Sequence, residues 1–68
     1  MTTFKPTHLL TNEFGTTKEV MLVNGALLDE YEVAHHLPAD YALDGGRIYV
    51  VTDSARYERP TCRVQELS

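Results

Sequence analysis

Three histidines and one cysteine are the side chains of this chain best suited to metal binding. They are His8, His35, His36 and Cys62. His35 and His36 are neighbours, and adjacent residues project about 100° apart on a helix, so they do not face one ion as an i, i+4 pair does. No C-x-x-C or H-x-x-x-H spacing occurs in the 68 residues. The sequence therefore predicts no metal site and no cofactor, with one histidine of the pair in solvent and the other half-buried beside Pro38.

Cys62 is also the candidate thiol nucleophile, and Ser54 and Ser68 are candidate hydroxyl nucleophiles. Cys62 shares one side of a predicted strand with Val64, and a buried cysteine behaves as a small hydrophobic side chain. Arg63 follows it in the chain but is expected to point to the opposite face, where it does not activate the thiol. Neither serine lies in a G-x-S-x-G turn. We therefore predict that the protein is not an enzyme.

The segment Asp44-Gly45-Gly46-Arg47 combines two glycines with an arginine, as some phosphate-binding loops do. It lacks the strand–loop–helix context and the lysine of a P-loop. Asp-Gly between apolar segments is instead typical of a tight β-hairpin turn. We expect a hairpin at this position.

Carboxylates gather around one predicted helix. Asp29, Glu30 and Glu32 stand at its start, where acidic side chains complement the helix dipole and cap free amides. Joined to Asp40 and Asp44, the same residues form a candidate acidic face that could stand in for phosphates and occupy the basic channel of a nucleic-acid-handling protein. The sequence leaves both interpretations open.

Arginines and tyrosines are interleaved in the C-terminal third. On a sheet surface such a mixture stacks on single-stranded bases or binds an acidic peptide. Cross-strand pairing with Glu58 and Glu66 would equally make it an ordinary solvated face. Tyrosine and arginine are also enriched at the hot spots of protein interfaces. The candidate partner-binding residues of this kind are Tyr31, Tyr41, Arg47, Tyr49, Arg56, Tyr57 and Arg59.

The elements that position these side chains are mostly short strands. The strongest strand pattern is 47–52, where every residue after the first is β-branched or aromatic, and we expect it to be the central strand. Asn24-Gly25 predicts a tight hairpin. Pro60 breaks a ladder, and the apolar parity changes across it as if one residue were inserted. Strand-like patterns cover 7–11, 19–23, 26–28, 41–43, 47–52, 55–59 and 61–67, and the last two adjoin Pro60, which is expected at an edge, a bulge or an end rather than between two separate full strands.

One short helix is predicted over 30–37. Asp29 and Glu32 have the spacing of a capping box, and Pro38 ends the segment. The side expected to dock on the sheet is the one with helical spacing, made of Tyr31, Ala34 and Leu37.

These elements define a mainly β (α+β) fold class. We expect five or six short antiparallel strands in a meander, forming a small SH3-like barrel or a bent sheet, with the helix near 30–37. Residues 1–6 are expected to form a flexible arm, and residues 7–68 a single small β-rich domain. Phe14 lies in the turn-like segment 12–17, where it either folds back over the core or is exposed for a partner.

Charge and composition limit the function. The formal net charge is −4, and the middle of the chain is acidic whereas the last third is rich in arginine. The acidic total argues against non-specific nucleic-acid binding as the main activity. One cysteine cannot form an internal disulfide framework, so we expect the protein in the cytoplasm. No apolar run approaches the ~20 residues of a membrane span, and no membrane partner is expected.

The chain resembles the small acidic proteins, such as anti-CRISPR inhibitors, that phages and other mobile elements encode to disable host machinery. The resemblance is carried by size, acidity, a single domain and the lack of a catalytic motif. Met1-Thr2-Thr3-Phe4 together with Asn12-Glu13-Phe14-Gly15 is similar to the start of one such inhibitor. The resemblance implies a phage protein acting in the host cytoplasm, and it carries no residue roles.

Two functions are compatible with these patterns. The first is a non-catalytic protein-binding module, an inhibitor or adaptor that occludes a surface of a larger protein or ribonucleoprotein complex. The alternative is a small β-barrel that binds single-stranded nucleic acid through its arginine- and tyrosine-rich C-terminal strands. A homodimer is left open by the sequence.

Overall fold

A computed structural model of the chain describes residues 3–67, which form one antiparallel sheet and one helix. Met1 and Thr2 of the predicted arm, and Ser68, lie outside the described residues. The sheet order is β6-β5-β4-β3-β2-β1-β7. Within residues 3–67, no helix is long and apolar enough to cross a membrane. The elements are β1 (His8–Thr11), β2 (Thr17–Val23), β3 (Ala26–Leu28), α1 (Glu30–His35), β4 (Tyr41–Asp44), β5 (Arg47–Val51), β6 (Arg56–Glu58) and β7 (Arg63–Glu66).

The mainly β fold class is confirmed, but residues 3–67 contain seven strands rather than five or six. The additional strand arises at Pro60, because the segments on its two sides pair with different neighbours. β6 pairs with β5, whereas β7 pairs with β1 at the other end of the sheet. The predicted meander therefore holds from β1 to β6 and ends there.

The sheet must curl, because a four-residue connection joins its two edge strands. A flat sheet of seven strands spaced about 4.8 Å apart would be about 29 Å wide. The chain from Glu58 to Arg63 reaches at most about 18 Å. β6 and β7 also run in the same direction, so they act as one bent strand that passes from the β5 edge to the β1 edge. The result is a curled half-barrel, and the bend explains the change of apolar parity across Pro60.

The core lies on the inner face of this half-barrel. Its side chains come from alternate positions of the strands, as the pleat requires. Cys62 stands just before β7 rather than within it, and its side chain is buried in the core beside Val64. The buried cluster consists of Leu10, Val20, Leu27, Ile48 and Cys62, with Leu22, Tyr41, Leu43 and Val64 packed against it.

The strand 47–52 is confirmed as an inner strand, but β3 rather than β5 lies at the middle of the sheet order. β5 pairs with β4 through Leu43 and Ile48, and with β6 through Val50 and Tyr57. The run of β-branched and aromatic residues thus indicated a strand but not its position in the sheet order. The two faces of β5 serve different purposes, since Ile48 enters the core whereas Val51 on the other face is exposed.

Both predicted hairpin turns are present. Asn24 and Gly25 have φ values of 50° and 83°, as a type I′ turn requires. Gly45 and Gly46 have φ values of 60° and 78° in the turn between β4 and β5. The second pair supports the hairpin interpretation over a phosphate-binding loop.

Helix α1 ends at His35, two residues earlier than predicted, because His36 adopts the left-handed conformation at φ 53°. The predicted docking side is wrong. Glu32 and Val33 are buried, whereas the side with helical apolar spacing, made of Tyr31, Ala34 and Leu37, is exposed. The buried Glu32 side chain accepts hydrogen bonds from the amides of Asp29 and Asp40, so this side of the helix is held against the rest of the chain. Val33, the next residue, then faces Met21 and Leu28 of the sheet.

Candidate interaction surfaces

The structure divides the candidate arginines and tyrosines between different surfaces. The cross-strand pairs place Arg47, Tyr49 and Arg56 on the outer face of the sheet. Tyr41 in β4 and Tyr57 in β6 are both paired with Val50 of β5, and directly paired residues share one face of a sheet. Both tyrosines therefore lie on the inner face. The other two members, Tyr31 on the helix and Arg59 in the β6–β7 connection, do not belong to either strand face.

Five side chains form what we call the outer-face cluster. The Arg56 guanidinium carbon lies 4.1 Å from the centre of the Tyr49 ring. Arg56 Nη2 is 3.5 Å from Asp44 Oδ2, and Arg47 Nε is 3.8 Å from Glu58 Oε1. Exposed ion pairs of this kind contribute about 0–1 kcal/mol each. The charges of the cluster cancel, so it offers little attraction to nucleic acid.

A shallow cleft of 450 Å³ adjoins this cluster. Ala26 and Ala42, paired across β3 and β4, line it together with Val51. The Asp44–Arg56 ion pair also lines the cleft. Small side chains on the central strands therefore leave part of the outer face uncovered.

Glu32 does not stand on an exposed acidic face. Its side chain is 7% exposed, and it accepts hydrogen bonds from two backbone amides. Oε1 accepts from Asp29 N–H at 3.0 Å, and Oε2 accepts from Asp40 N–H at 3.2 Å. Burial raises the pKa of Glu32, and the nearby carboxylates of Asp29 and Asp40 act in the same direction. Glu32 therefore ties the start of the helix to the segment before β4.

Asp29 caps the helix and is also held by a lysine. Its Oδ1 accepts from Glu32 N–H at 2.8 Å, and its Oδ2 lies 3.3 Å from Lys18 Nζ. Partial burial acts to raise the pKa of Asp29, but the Glu32 amide and the Lys18 ammonium outweigh it, so the net pKa is lowered. Lys18 Nζ also lies 5.7 Å from the centre of the Tyr41 ring. Asp29 and Tyr41 are thus joined through one lysine.

Glu30, Tyr31 and Asp40 form what we call the helix surface. Glu30 and Asp40 are exposed, and neither makes an ion pair with another described residue. Glu32 holds the Asp40 amide beside the start of the helix that carries Glu30 and Tyr31. Tyr31 is 63% exposed, and its ring centre lies 4.4 Å from that of His35. This surface is both acidic and aromatic.

Phe14 is exposed and does not cover the core. Its side chain is 84% exposed at the tip of the β1–β2 turn. Asn12 Oδ1 accepts hydrogen bonds from Phe14 N–H and Thr16 N–H, both at 2.9 Å. Asn12 N–H donates to Thr16 O at 2.9 Å, and Gly15 takes φ 82°. The sequence singled out this aromatic side chain, but only the structure shows that a fixed turn presents it.

The side chains first considered for metal chemistry are dispersed. His35 and His36 are both exposed, so neither is half-buried beside Pro38 as expected. His8 is half-buried, and its Nδ1 lies 2.8 Å from Thr7 Oγ1. Among residues 3–67, no three or more His, Cys, Asp or Glu side chains lie together as a metal site would require.

Comparison of the chain with protein-family models, with curated proteins and with solved structures gave no match.

Proposed function

We propose that this protein is a non-catalytic binding module that acts as an inhibitor or adaptor, in the manner of anti-CRISPR proteins. It covers a basic surface of a larger nucleic-acid-handling complex in the host cytoplasm. The observation that carries this proposal is the surplus of free carboxylates on the described surface. The exposed acidic residues outside any ion pair are Glu13, Glu19, Glu30, Asp40, Asp53 and Glu66, whereas the corresponding basic residues are Lys5, Arg59 and Arg63.

Free carboxylates of this kind attract the lysines and arginines with which proteins bind nucleic-acid phosphates. The arginines that could reverse this attraction are partly neutralised, because Arg47 and Arg56 are paired with Glu58 and Asp44. The field outside the protein is therefore negative, which favours a basic protein surface over nucleic acid as the partner.

The helix surface is the best candidate contact region. Tyr31 supplies an exposed aromatic anchor whose ring is already supported by His35. Glu30 precedes it on the helix, the Asp40 amide is held near the helix start, and no described residue forms an ion pair with either carboxylate. An aromatic anchor surrounded by complementary charge is typical of interface hot spots. Glu32 has a positioning role here, since it holds Asp40 beside the helix.

Charge reversal on the helix surface tests the proposal. The variant Glu30→Lys/Asp40→Lys should lose the partner captured by the immobilised wild-type protein from a lysate of the source cells. Capture by the wild type should also weaken at about 0.5 M salt, where the Debye length is only a few ångströms. The control is Glu66→Lys, a charge reversal of the same kind on β7, which should keep the partner.

Mass spectrometry identifies the captured protein, and a gel shift then measures whether adding this chain displaces nucleic acid from it. Equal capture by the wild type and the double variant, or capture indifferent to salt, would contradict the role of the acidic surface. A partner that keeps its nucleic acid would contradict inhibition by occlusion.

The second candidate function is binding of single-stranded nucleic acid through the outer-face cluster. The observation that favours it is the stacked Arg56 and Tyr49, with Arg47 on the same face. Binding would have to break both ion pairs of the cluster, and Tyr57 would not take part because it lies on the inner face. A gel shift with single-stranded oligonucleotides at low salt decides this alternative, and no shift at micromolar protein would exclude it.

A further inference from the structure

The Phe14 turn has the properties of an interface anchor. Phe14 is more exposed than any other exposed large apolar side chain of the described residues. The hydrogen bonds of Asn12 hold the turn that carries it. A ring presented by a fixed turn loses little conformational freedom when a partner buries it. Aromatic side chains are also enriched in the buried centres of interfaces.

A pocket that suits a phenyl ring lies on the outer face of the same protein. It has a volume of 130 Å³ and lies between α1 and the β2–β3 hairpin. An apolar cavity of about 150 Å³ holds one benzene molecule, so this pocket is of the size of a single ring. The pocket is lined by Met21, Val23, Leu28 and Val33, with Glu32 and His36 completing it.

We propose that two copies of this chain form a two-fold symmetric dimer in which Phe14 of each copy occupies this pocket of the other. The ring and the pocket are joined by a single strand. β2 begins at Thr17, directly after the turn, and carries Met21 and Val23 in its second half. Phe14 is therefore at most about 25 Å from Met21. A two-fold axis over the middle of β2 would bring the Phe14 turn of each copy to the pocket of the other, and such a contact closes on itself.

The polar groups around the two features fit this arrangement. Glu13, beside Phe14, is exposed and makes no ion pair with another described residue. His36 lines the pocket, and a ring N–H of His36 can donate to a Glu13 carboxylate. Two features oppose association. One is Glu32, a carboxylate that also lines the pocket approached by Glu13. The other is Glu19, which lies on the outer face of β2 between Phe14 and the pocket, so the dimer brings two Glu19 carboxylates toward its axis.

The surface of the chain is large enough for this interface. A stable interface buries about 600–1,000 Å² on each partner. The described protein exposes 4997 Å² and measures 32 × 31 × 22 Å, so one broad face suffices. Dimer formation would also cover Val23, which is 37% exposed, and so enlarge a core that is small in a domain of this size.

Sedimentation velocity between about 10 μM and 1 mM, a range that detects weak dimers, tests the proposal with four variants. The wild type should change from 7.7 kDa to twice that mass as concentration rises. Phe14→Ala should raise the dimer Kd at least about 30-fold, as expected for a hot-spot residue. Val23→Glu should weaken the dimer in the same way by placing a charge at the pocket. Both positions are solvent-exposed in the monomer, and circular dichroism verifies that both variants fold.

Glu19→Gln should instead tighten the dimer, because it removes the repulsion at the axis. Tyr57→Ala is the matched control. Tyr57 is an aromatic side chain 57% exposed on β6, well away from β2 in the sheet order, and its removal should leave the Kd unchanged. A wild type that stays at 7.7 kDa up to about 1 mM, or a dimer indifferent to Phe14→Ala, overturns the proposal.

The response to added salt distinguishes the dimer from the partner binding proposed above. Each copy carries a net charge of −4, so added salt should tighten the dimer by screening the repulsion. Binding to a basic partner should weaken with salt. A monomeric protein that captures its partner overturns only the dimer, whereas a dimer whose partner capture is indifferent to salt contradicts only the proposed function.

Discussion

At the scale of single residues, Glu32 connects the start of helix α1 to the segment before β4. One carboxylate oxygen completes the helix cap at Asp29, and the other holds the amide of Asp40, eight residues further on. Leaving a buried amide without an acceptor costs about 1–3 kcal/mol. Glu32 therefore contributes to stability and to the position of Asp40, and we do not count it among the groups that meet a partner.

The raised pKa of Glu32 makes the stability of the protein depend on pH. Burial raises this pKa above the ordinary value of 4.5, so the folded chain binds a proton more tightly than the unfolded chain. The contribution of Glu32 to the unfolding free energy should therefore fall as the pH rises from 4.5 through the raised value. Glu32→Gln keeps an accepting oxygen and should remove this component.

Urea unfolding at several values between about pH 4 and pH 7 measures the effect. The difference in unfolding free energy between the wild type and Glu32→Gln should decrease as the pH rises. The corresponding difference for Glu30→Gln, an exposed neighbour, should not. A difference for Glu32→Gln that stays constant across this pH range would contradict the raised pKa of Glu32.

At the scale of elements, the turns were the most predictable features. Asn24-Gly25 and Asp44-Gly45-Gly46-Arg47 both form the hairpins expected of them, because positive φ is a local property that few residue types tolerate. The capping box at Asp29 was also predictable from a three-residue spacing. The rotation of the helix was not predictable, because the three apolar side chains at helical spacing lie on a side that the sheet does not cover.

Gly25→Ala tests the turn between β2 and β3. A Cβ at this position would have its nearest heavy atom, Leu43 O, at 3.8 Å, which is an ordinary contact. The penalty should therefore come only from the backbone φ of 83°, and it should destabilise the protein by about 1–2 kcal/mol. Urea unfolding measures this loss of stability. The control is Asn24→Gly, which should lose little stability because glycine tolerates positive φ. An unchanged midpoint for Gly25→Ala would contradict the strain.

At the scale of the whole molecule, a small core limits stability. A domain of this size has a stability of only ~3–5 kcal/mol. Leu27 lies on β3 at the middle of the sheet and is 1% exposed. Leu27→Ala should cost about 2–5 kcal/mol through lost contacts and the cavity left behind. We expect this variant to be largely unfolded at 25 °C.

Near-ultraviolet circular dichroism of the tyrosines reports the loss of packing in Leu27→Ala. Val51→Ala is the control, because Val51 is 37% exposed on the outer face and should lose much less stability. A folded Leu27→Ala with the thermal midpoint of the wild type would show that the core at β3 can collapse around the missing methyl groups.

The sequence by itself determined the local features of this protein. It indicated where strands, turns and the helix cap lie, that the fold class is mainly β, and that the net charge is negative. Each of these depends on residue type or on spacings of a few residues, such as the Asn-Gly turn and the Asp29–Glu32 pair. The sequence placed Phe14 in a turn-like segment, but it did not determine whether the ring covers the core or is exposed.

The tertiary structure alone decided how the faces are used. It separated Tyr41 and Tyr57 from Tyr49, buried Glu32, and brought the chain after Pro60 back to β1. These outcomes depend on pairing between segments far apart in the chain, and a strand pattern does not encode its neighbour or which of its two faces the core will take. The candidate surfaces follow from that pairing, because it determines which charges neutralise each other and which remain free.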